Sequence, residues 1–162
     1  WVDSAFDNGD GIYFSGAMSD QCRFNLIMGG IPAFGFYKDK EFSILHKDPS
    51  FVPSKITDLY ASDYGINYTQ IWRPQVGGVK SRNQKEVNES LDELWDYSEP
   101  SETEDSVYSF MGVGKWESKN NFELSFLPLN NFWAEGGKIK GDKAIFFGRL
   151  GAKPSIASMD LE

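Results

Sequence analysis

The chain has 162 residues, a length that fits one domain able to bury a core without disulfides or metals. Its 40% hydrophobic and 25% charged fractions are ordinary for a globular protein, which excludes disordered, collagen-like and coiled-coil chains. The formal net charge of −8 disfavours nucleic acid and anionic lipid as partners, because both are negatively charged.

Turn signals alternate with strand-like runs in the first thirty residues. The loop Asp7–Gly11 leads into a predicted strand at 12–18, and a second run at 22–28 stops at a pair of glycines. We therefore expect a hairpin between these two runs. The single cysteine, Cys22, excludes an intramolecular disulfide and is interpreted as a buried small hydrophobe of the second run.

A second hairpin is predicted between the runs at 33–37 and 41–46, around a charged turn. Residues 54–60 are predicted to form one helical turn, with Ser54 as its N-cap. A further strand is predicted over 67–72. It ends at a segment rich in proline and glycine.

The clearest local signal predicts one helix near residues 84–95. Ser81 and Gln84 have the spacing of a capping box. Apolar residues then recur at helical spacing and mark one face, at Val87, Leu91, Leu94 and Trp95. The segment 92–105 holds seven carboxylates and no basic residue, so it is predicted to be a solvated acidic loop.

The C-terminal third has the strongest strand character. Strands are predicted at 106–111, 120–127, 137–140 and 143–150. Gly112–Lys115 is interpreted as a turn, since it lacks the spacing of a phosphate-binding loop. Ala144–Phe147 is apolar at every position, which predicts a central strand buried on both faces.

Eight or so short strands and one inserted helix predict a mainly β domain over residues 1–160. The expected architecture is an antiparallel β-sandwich or jelly roll, with a closed, lipocalin-like β-barrel as the alternative. The dipeptide 161–162 is interpreted as a tag remnant and left out of the fold. No apolar run is long enough to predict a membrane-spanning helix.

Few residue patterns favour catalysis. His46 is the only histidine, and its position at a strand end with Phe42 and Ile44 on the same face favours a structural role. One cysteine and one histidine also argue against a zinc or iron site. A carboxylate pair would suffice for glycoside hydrolysis, for which Glu123 and Glu135, each close to a tryptophan, are the candidates.

Calcium is the one cofactor that the sequence leaves open, because it requires only oxygen ligands. Asp7, Asn8 and Asp10 crowd a glycine-rich loop and are the candidate ligands. The register of an EF-hand fails there, since Phe6 and Ala17 fall on ligand positions. An ordinary turn is the preferred interpretation.

The aromatic residues give the main functional hint. Thirteen Phe, seven Tyr and five Trp supply stiff apolar faces on which a sugar ring can stack. The candidate ligand-binding residues lie where strands are predicted to end and are Tyr68, Trp72, Trp116, Trp133 and Asn131, with Tyr64 as a further loop aromatic. Burial in the core is the alternative for each aromatic side chain.

Two functions are consistent with these features. The preferred one is a non-enzymatic, extracytoplasmic recognition module that binds a carbohydrate or other neutral ligand through loop aromatics, an expectation to which the start at Trp1 contributes. The alternative is a structural or protein-interaction subunit, such as a virion or appendage component or an acidic inhibitor, that docks on a partner protein. A barrel holding a small apolar ligand is a third possibility.

Overall fold

Antiparallel strands make up nearly all of the regular structure in the computed structural model, which describes residues 1–18, 30–48, 54–72, 110–127, 132–150 and 152–161. Eleven strands occur in these ranges, and no helix does. The strands are β1 (Val2–Asp7), β2 (Ile12–Met18), β3 (Ile31–Lys38), β4 (Glu41–Lys47), β5 (Ser54–Ser62), β6 (Gly65–Trp72), β7 (Phe110–Ser118), β8 (Asn121–Leu127), β9 (Phe132–Lys140), β10 (Lys143–Leu150) and β11 (Lys153–Asp160).

The strands form three sheets in which spatial order follows chain order. Strands β1 to β4 form the N-terminal sheet, β5 to β8 the middle sheet, and β9 to β11 the C-terminal sheet. This order is a meander, in contrast to the Greek-key crossings of a jelly roll. The prediction of a mainly β, antiparallel fold is confirmed, whereas the closed-barrel alternative is wrong because the described strands form three open sheets.

The middle sheet packs against the other two sheets through opposite faces. Alternation along β6 sends Ile66 and Tyr68 toward the N-terminal sheet, where they join a buried cluster with Phe34. Ile71 faces the other way and lies in a second buried cluster with Phe146 of the C-terminal sheet. This layering is consistent with the predicted β-sandwich.

Polar contacts also join the layers. The Asp58 carboxylate accepts a hydrogen bond from the Ile139 backbone N–H at 2.9 Å and lies 3.6 Å from Lys138 Nζ, which ties the middle sheet to β9. Lys55 Nζ lies 3.1 Å from Asp3 Oδ1, with both side chains less than one-fifth exposed, and this pair ties the middle sheet to β1.

The hairpin predicted between 33–37 and 41–46 is confirmed as β3 and β4. Its two turn residues, Asp39 and Lys40, have φ angles of 53° and 67°, the left-handed values that a type I′ hairpin turn requires. The central strand predicted at Ala144–Phe147 is confirmed as part of β10, which lies between β9 and β11. Its burial on both faces is not observed, because Phe147 is 42% exposed.

The hairpin predicted between 12–18 and 22–28 is wrong. Strand β2 pairs with β1 along one edge and with β3 along the other, so both of its edges are occupied. The partner that follows β2 in the chain is β3, which begins at Ile31, after the pair of glycines rather than before it.

The helical turn predicted over 54–60 is also wrong, because these residues belong to β5. Ile56 and Leu59 are three residues apart and both buried, a spacing typical of a helix. In β5 a β-bulge immediately after Ile56 shifts the register by one and brings both side chains to one face. The Ser54 hydroxyl, expected as a cap, donates instead to the Ile71 carbonyl at 3.0 Å.

Glycines that were expected to end strands lie inside them. Gly112–Lys115, interpreted as a turn, is part of β7. A Cβ atom on Gly114 would lie 1.9 Å from the ring of Tyr68, its cross-strand partner, and one on Gly136 would lie 2.5 Å from the ring of Phe147. Glycine is needed at these positions because the facing aromatic ring occupies the space of a side chain.

Several predictions fall on residues outside the described ranges, namely the helix at 84–95, the acidic loop at 92–105, Cys22 and Asn131. Leu161, which was left out of the fold, takes part in it. Its backbone N–H donates to the Asp142 carbonyl at 2.8 Å, and its side chain packs against the buried cluster around Phe146.

Candidate functional site

A cleft of about 270 Å³ opens beside the face of the middle sheet that is turned toward the C-terminal sheet. It lies between β6, β7 and β8 on one side and the end of β11 on the other. Its polar lining comes from Ser62, Tyr64, Asn67, Lys115, Glu123, Ser125 and Asp160.

Three of these side chains form a row across neighbouring strands. Asn67 of β6 pairs with Lys115 of β7, and Lys115 pairs with Glu123 of β8. Directly paired residues project from the same face, and strands lie about 4.8 Å apart, so the row spans about 10 Å. An amide, an ammonium group and a carboxylate are thereby presented side by side.

The charged members of the row are open to solvent. The Lys115 ammonium lies 3.9 Å from Glu117 Oε1, and both side chains are about half exposed, so this ion pair is weak. Asp160, across the cleft, accepts a hydrogen bond from Lys143 Nζ at 3.1 Å. The row therefore carries one positive and one negative group within reach of a ligand.

Tyr64 stands at the edge of the cleft in the turn between β5 and β6 and is 87% exposed. The turn is held by Ser62, whose hydroxyl accepts a hydrogen bond from the Tyr64 N–H and donates one to the Gly65 carbonyl, both at 3.3 Å. Gly65 has a φ of 123°, a conformation that glycine adopts without strain. The local sequence thus fixes the turn and leaves the Tyr64 ring in solvent.

Apolar side chains complete the lining of the cleft. Val113, Met159 and Leu161 line it and also pack against the buried cluster of the C-terminal sheet. Because these side chains are anchored in the core, the apolar part of the cleft is preformed. A ligand with one apolar and one polar side would meet matching chemistry on the two sides of the cleft.

Among the described side chains that were predicted to bind ligand, Tyr68, Trp116 and Trp133 do not line the cleft. Tyr68 is fully buried in the middle of β6, and Trp116 of β7 is partly buried on the same side, facing the N-terminal sheet. Trp133 is partly buried on β9, with the Arg149 guanidinium 5.8 Å from its ring centroid. Trp72 ends β6, where its backbone pairs with Phe110. Their role in binding a ligand stays a prediction.

Tyr68 and Trp116 instead surround Phe34 together with His46. The ring centroids of Tyr68 and Trp116 each lie 5.5 Å from that of Phe34, and that of His46 lies 5.2 Å from it. His46 is 5% exposed, and its ring centroid also lies 4.7 Å from that of Phe122. We call His46, Tyr68, Trp116 and Phe34 the aromatic cluster.

Burial governs the ionisation of this cluster. It lowers the pKa of His46, an effect that the nearby Asp48 carboxylate opposes, and it raises the pKa of Tyr68. The neutral imidazole of His46 is therefore favoured near pH 7.

The candidate calcium ligands hold a turn between β1 and β2. Asp7 Oδ1 accepts a hydrogen bond from the Gly9 N–H at 2.8 Å, and Asn8 Oδ1 accepts one from the Asp10 N–H at 3.0 Å. Asp10 forms an ion pair with Lys38. Among the described residues no group of three or more His, Cys, Asp or Glu could hold a metal ion. The calcium site stays a prediction, and the turn accounts for these contacts.

Sequence reasoning singled out two members of the cleft, Tyr64 as a loop aromatic and Glu123 as a strand carboxylate. Glu135, the other carboxylate candidate, does not line the cleft. Asn67, Lys115 and Ser125 were missed as site residues. The available signal was alternation within three separate strands, and joining them into one row requires the register between the strands.

No helix in the described part of the chain is long and apolar enough to cross a membrane. No family model, curated protein or solved structure matches the chain. The function is therefore inferred from the chemistry of the cleft.

Proposed function

We propose that the protein is a non-enzymatic recognition module that binds a neutral, carbohydrate-like ligand in the cleft. The observation that carries this proposal is the row Asn67, Lys115 and Glu123 beside the exposed ring of Tyr64. An extracytoplasmic location is part of the same proposal.

The row supplies the hydrogen-bonding groups that hydroxyls need. The Asn67 amide both donates and accepts, the Lys115 ammonium donates, and the Glu123 carboxylate accepts. The Ser125 hydroxyl lies one step further along β8 on the same face and does both. A polyhydroxylated ring can satisfy several of these groups at once, whereas an apolar ligand would leave them unpaired.

Tyr64 and the apolar lining supply the second half of the recognition. An exposed tyrosine in a fixed turn offers a rigid face with little entropy to lose, which suits stacking against the C–H face of a sugar. Because one cation and one anion of the row stand side by side, their charges offset each other. This balance favours a neutral ligand over a charged one.

Titration by two-dimensional NMR tests the proposal, with neutral methyl glycosides of glucose, galactose, mannose and N-acetylglucosamine as probes at millimolar concentration. We expect shift changes at Asn67, Lys115 and Glu123 with at least one probe. Tyr64→Ala should weaken that binding by about 3- to 10-fold, the value of one aromatic contact. As a control, Tyr37→Ala removes a tyrosine that is 39% exposed on the N-terminal sheet and should leave the affinity for the glycoside unchanged. Shifts that are absent for every probe, or equal losses in the two variants, would overturn the proposal.

The non-enzymatic part has its own test, because Glu123 and Asp160 both line the cleft. Most glycosidases use two carboxyl groups that flank the scissile bond of the bound sugar as their catalytic residues. We expect no release of nitrophenol from p-nitrophenyl glycosides. Release that disappears in Glu123→Gln would show an enzyme in place of a binding module.

An apolar surface supports the second candidate function, a protein-interaction subunit. The outer face of the N-terminal sheet exposes Phe42 at 56%, Ile44 at 41% and Tyr37 at 39%, and Tyr37 pairs with Phe42 across β3 and β4. The Phe42 ring also lies 6.1 Å from that of Phe14. Light scattering at high concentration would support this function if the protein associates and Phe42→Ser makes it monomeric. A monomer at every concentration would remove self-association from consideration.

A further inference from the structure

Three hydrogen-bonding atoms of the aromatic cluster are buried without a partner among the described residues. They are His46 Nε2, the Tyr68 hydroxyl and Trp116 Nε1. Tyr68 is fully buried, and His46 is only 5% exposed. A buried polar atom left unpaired is costly, and in native proteins almost all such atoms are paired with protein or with ordered water.

The three atoms belong to side chains that meet at one place. The rings of His46, Tyr68 and Trp116 each lie 5.2 to 5.5 Å from Phe34, and the rings of His46 and Tyr68 lie 5.7 Å apart. His46 comes from the N-terminal sheet and the other two from the middle sheet. The rings that carry the three polar atoms therefore meet at the contact between two layers.

We infer that His46, Tyr68 and Trp116 bind an internal water molecule between the N-terminal and middle sheets. The three groups suit one water molecule, which can accept from the Trp116 N–H and the Tyr68 hydroxyl and donate to the unprotonated Nε2 of His46. Buried waters make about three hydrogen bonds on average, the number that this cluster offers.

The water would fix the relation between the aromatic cluster and the cleft. Tyr68 and Trp116 directly follow Asn67 and Lys115 in β6 and β7, and their side chains project from the opposite face. A shared water thus connects β6 and β7, the two strands that carry Asn67 and Lys115. This inference does not depend on the identity of any ligand in the cleft.

Substitutions that delete one polar atom at nearly constant volume test the inference. If a water is shared, Tyr68→Phe and His46→Phe each leave the other groups unsatisfied, and each should lower the Tm by about 2–4 °C. The double variant should lose less than the sum of the two losses, because the shared water is already gone. If the atoms are simply unpaired, each substitution removes a buried polar group at no cost, and an unchanged or higher Tm would overturn the inference.

NMR of the unaltered chain gives a second readout that does not depend on how well the variants fold. We expect a cross peak between the Trp116 indole Hε1 and a water molecule that stays bound for longer than the tumbling time. Trp116→Phe assigns the indole signal by its loss. The indole of Trp1, which is 61% exposed and donates to Asp3 Oδ1 at 3.1 Å, is the control outside the aromatic cluster, and we expect no bound-water peak for it. A Trp116 indole that shows no bound-water peak contradicts the inference.

Discussion

The two faces of the middle sheet differ in what they hold. The face toward the N-terminal sheet is closed and aromatic, with Tyr68 fully buried, whereas the other face is covered by the C-terminal sheet near Ile71 and opens into the cleft at Asn67. Successive residues of one strand serve the two environments, because side chains alternate with a period of two. A middle layer can therefore carry core packing and a polar site on the same few residues.

The C-terminal sheet explains why one face is only partly covered. It has three strands, against four in each of the other sheets, and β9 packs mainly on β5 and β6. Strand β8 lies at the edge of the middle sheet and receives little cover on that side. The polar row at its Glu123 end is thus left accessible.

The largest expected losses of stability come from the two buried clusters on opposite faces of the middle sheet. Phe34→Ala and Phe146→Ala each remove a buried ring and should each lower the free energy of unfolding by about 3–5 kcal/mol. Urea denaturation followed by far-UV circular dichroism and by tryptophan fluorescence measures both. Phe42→Ala, at an exposed position, should change stability by less than about 0.5 kcal/mol. If Phe146→Ala split unfolding into two steps, the middle sheet would not be a core shared by both sides.

The next effect concerns the closed face alone. Gly114→Ala would place a methyl group 1.9 Å from the Tyr68 ring, so we expect a loss of about 1–3 kcal/mol through overpacking. Gly141→Ala is the matched control, since it meets no atom within 4 Å and has only the strain of a φ of 63°. Urea denaturation of the two variants should show the larger loss for Gly114→Ala. The reverse order would mean that the closed face accommodates added volume.

A smaller effect should follow pH on the closed face. Burial holds the pKa of His46 in the folded chain below its usual value of 6.5, so the unfolded chain takes up the proton first as pH falls. The contribution of His46 to the free energy of unfolding is therefore complete above pH 6.5. It declines as the pH drops from 6.5 toward the lower pKa that His46 has in the folded chain. The Tm of the unaltered chain should fall more between about pH 7.5 and about pH 5.5 than that of His46→Phe. Because His46 is the only histidine, equal falls would assign the effect to other groups.

The smallest effect is expected at the open face. Lys143 and Asp160 form an ion pair on the surface, with side chains 53% and 66% exposed, and such pairs add little to stability. Lys143→Gln should leave the Tm unchanged within error in thermal denaturation at moderate salt. A drop of several degrees would show that the rim of the cleft depends on this pair.

Local signals were enough to predict part of the fold. The β3–β4 hairpin has a charged turn between two apolar runs, and β10 has a continuous apolar run, so both were found from neighbouring residues alone. Strand β1 was missed because Asp3, Ser4 and Asp7 give it the composition of a loop. Strand β5 was misassigned because its bulge imitates helical spacing.

Other features depend on residues that are distant in the chain. From local sequence Gly114 is interpreted as part of a turn, because the Tyr68 ring that fills the space beside it belongs to a residue forty-six positions earlier. Finding the row of Asn67, Lys115 and Glu123 requires the register of three strands. Of the residues that line the cleft, the sequence marks only Glu123 and Tyr64. Tyr68 and Trp116 were predicted as candidate ligand-binding residues. Their partners in the aromatic cluster, Phe34 and His46, come from the N-terminal sheet and could not be found from neighbouring residues.

The meander order of the strands also bears on how the chain folds. Each described sheet is built by pairing strands that are neighbours in sequence, so most pairings close short loops and have a small entropic cost. Proteins dominated by such local pairings fold faster than sandwiches with crossed connections of similar size. Each hairpin can form as soon as its second strand is available. The β6–β7 pairing and the stacking of the three sheets must wait for more distant parts of the chain.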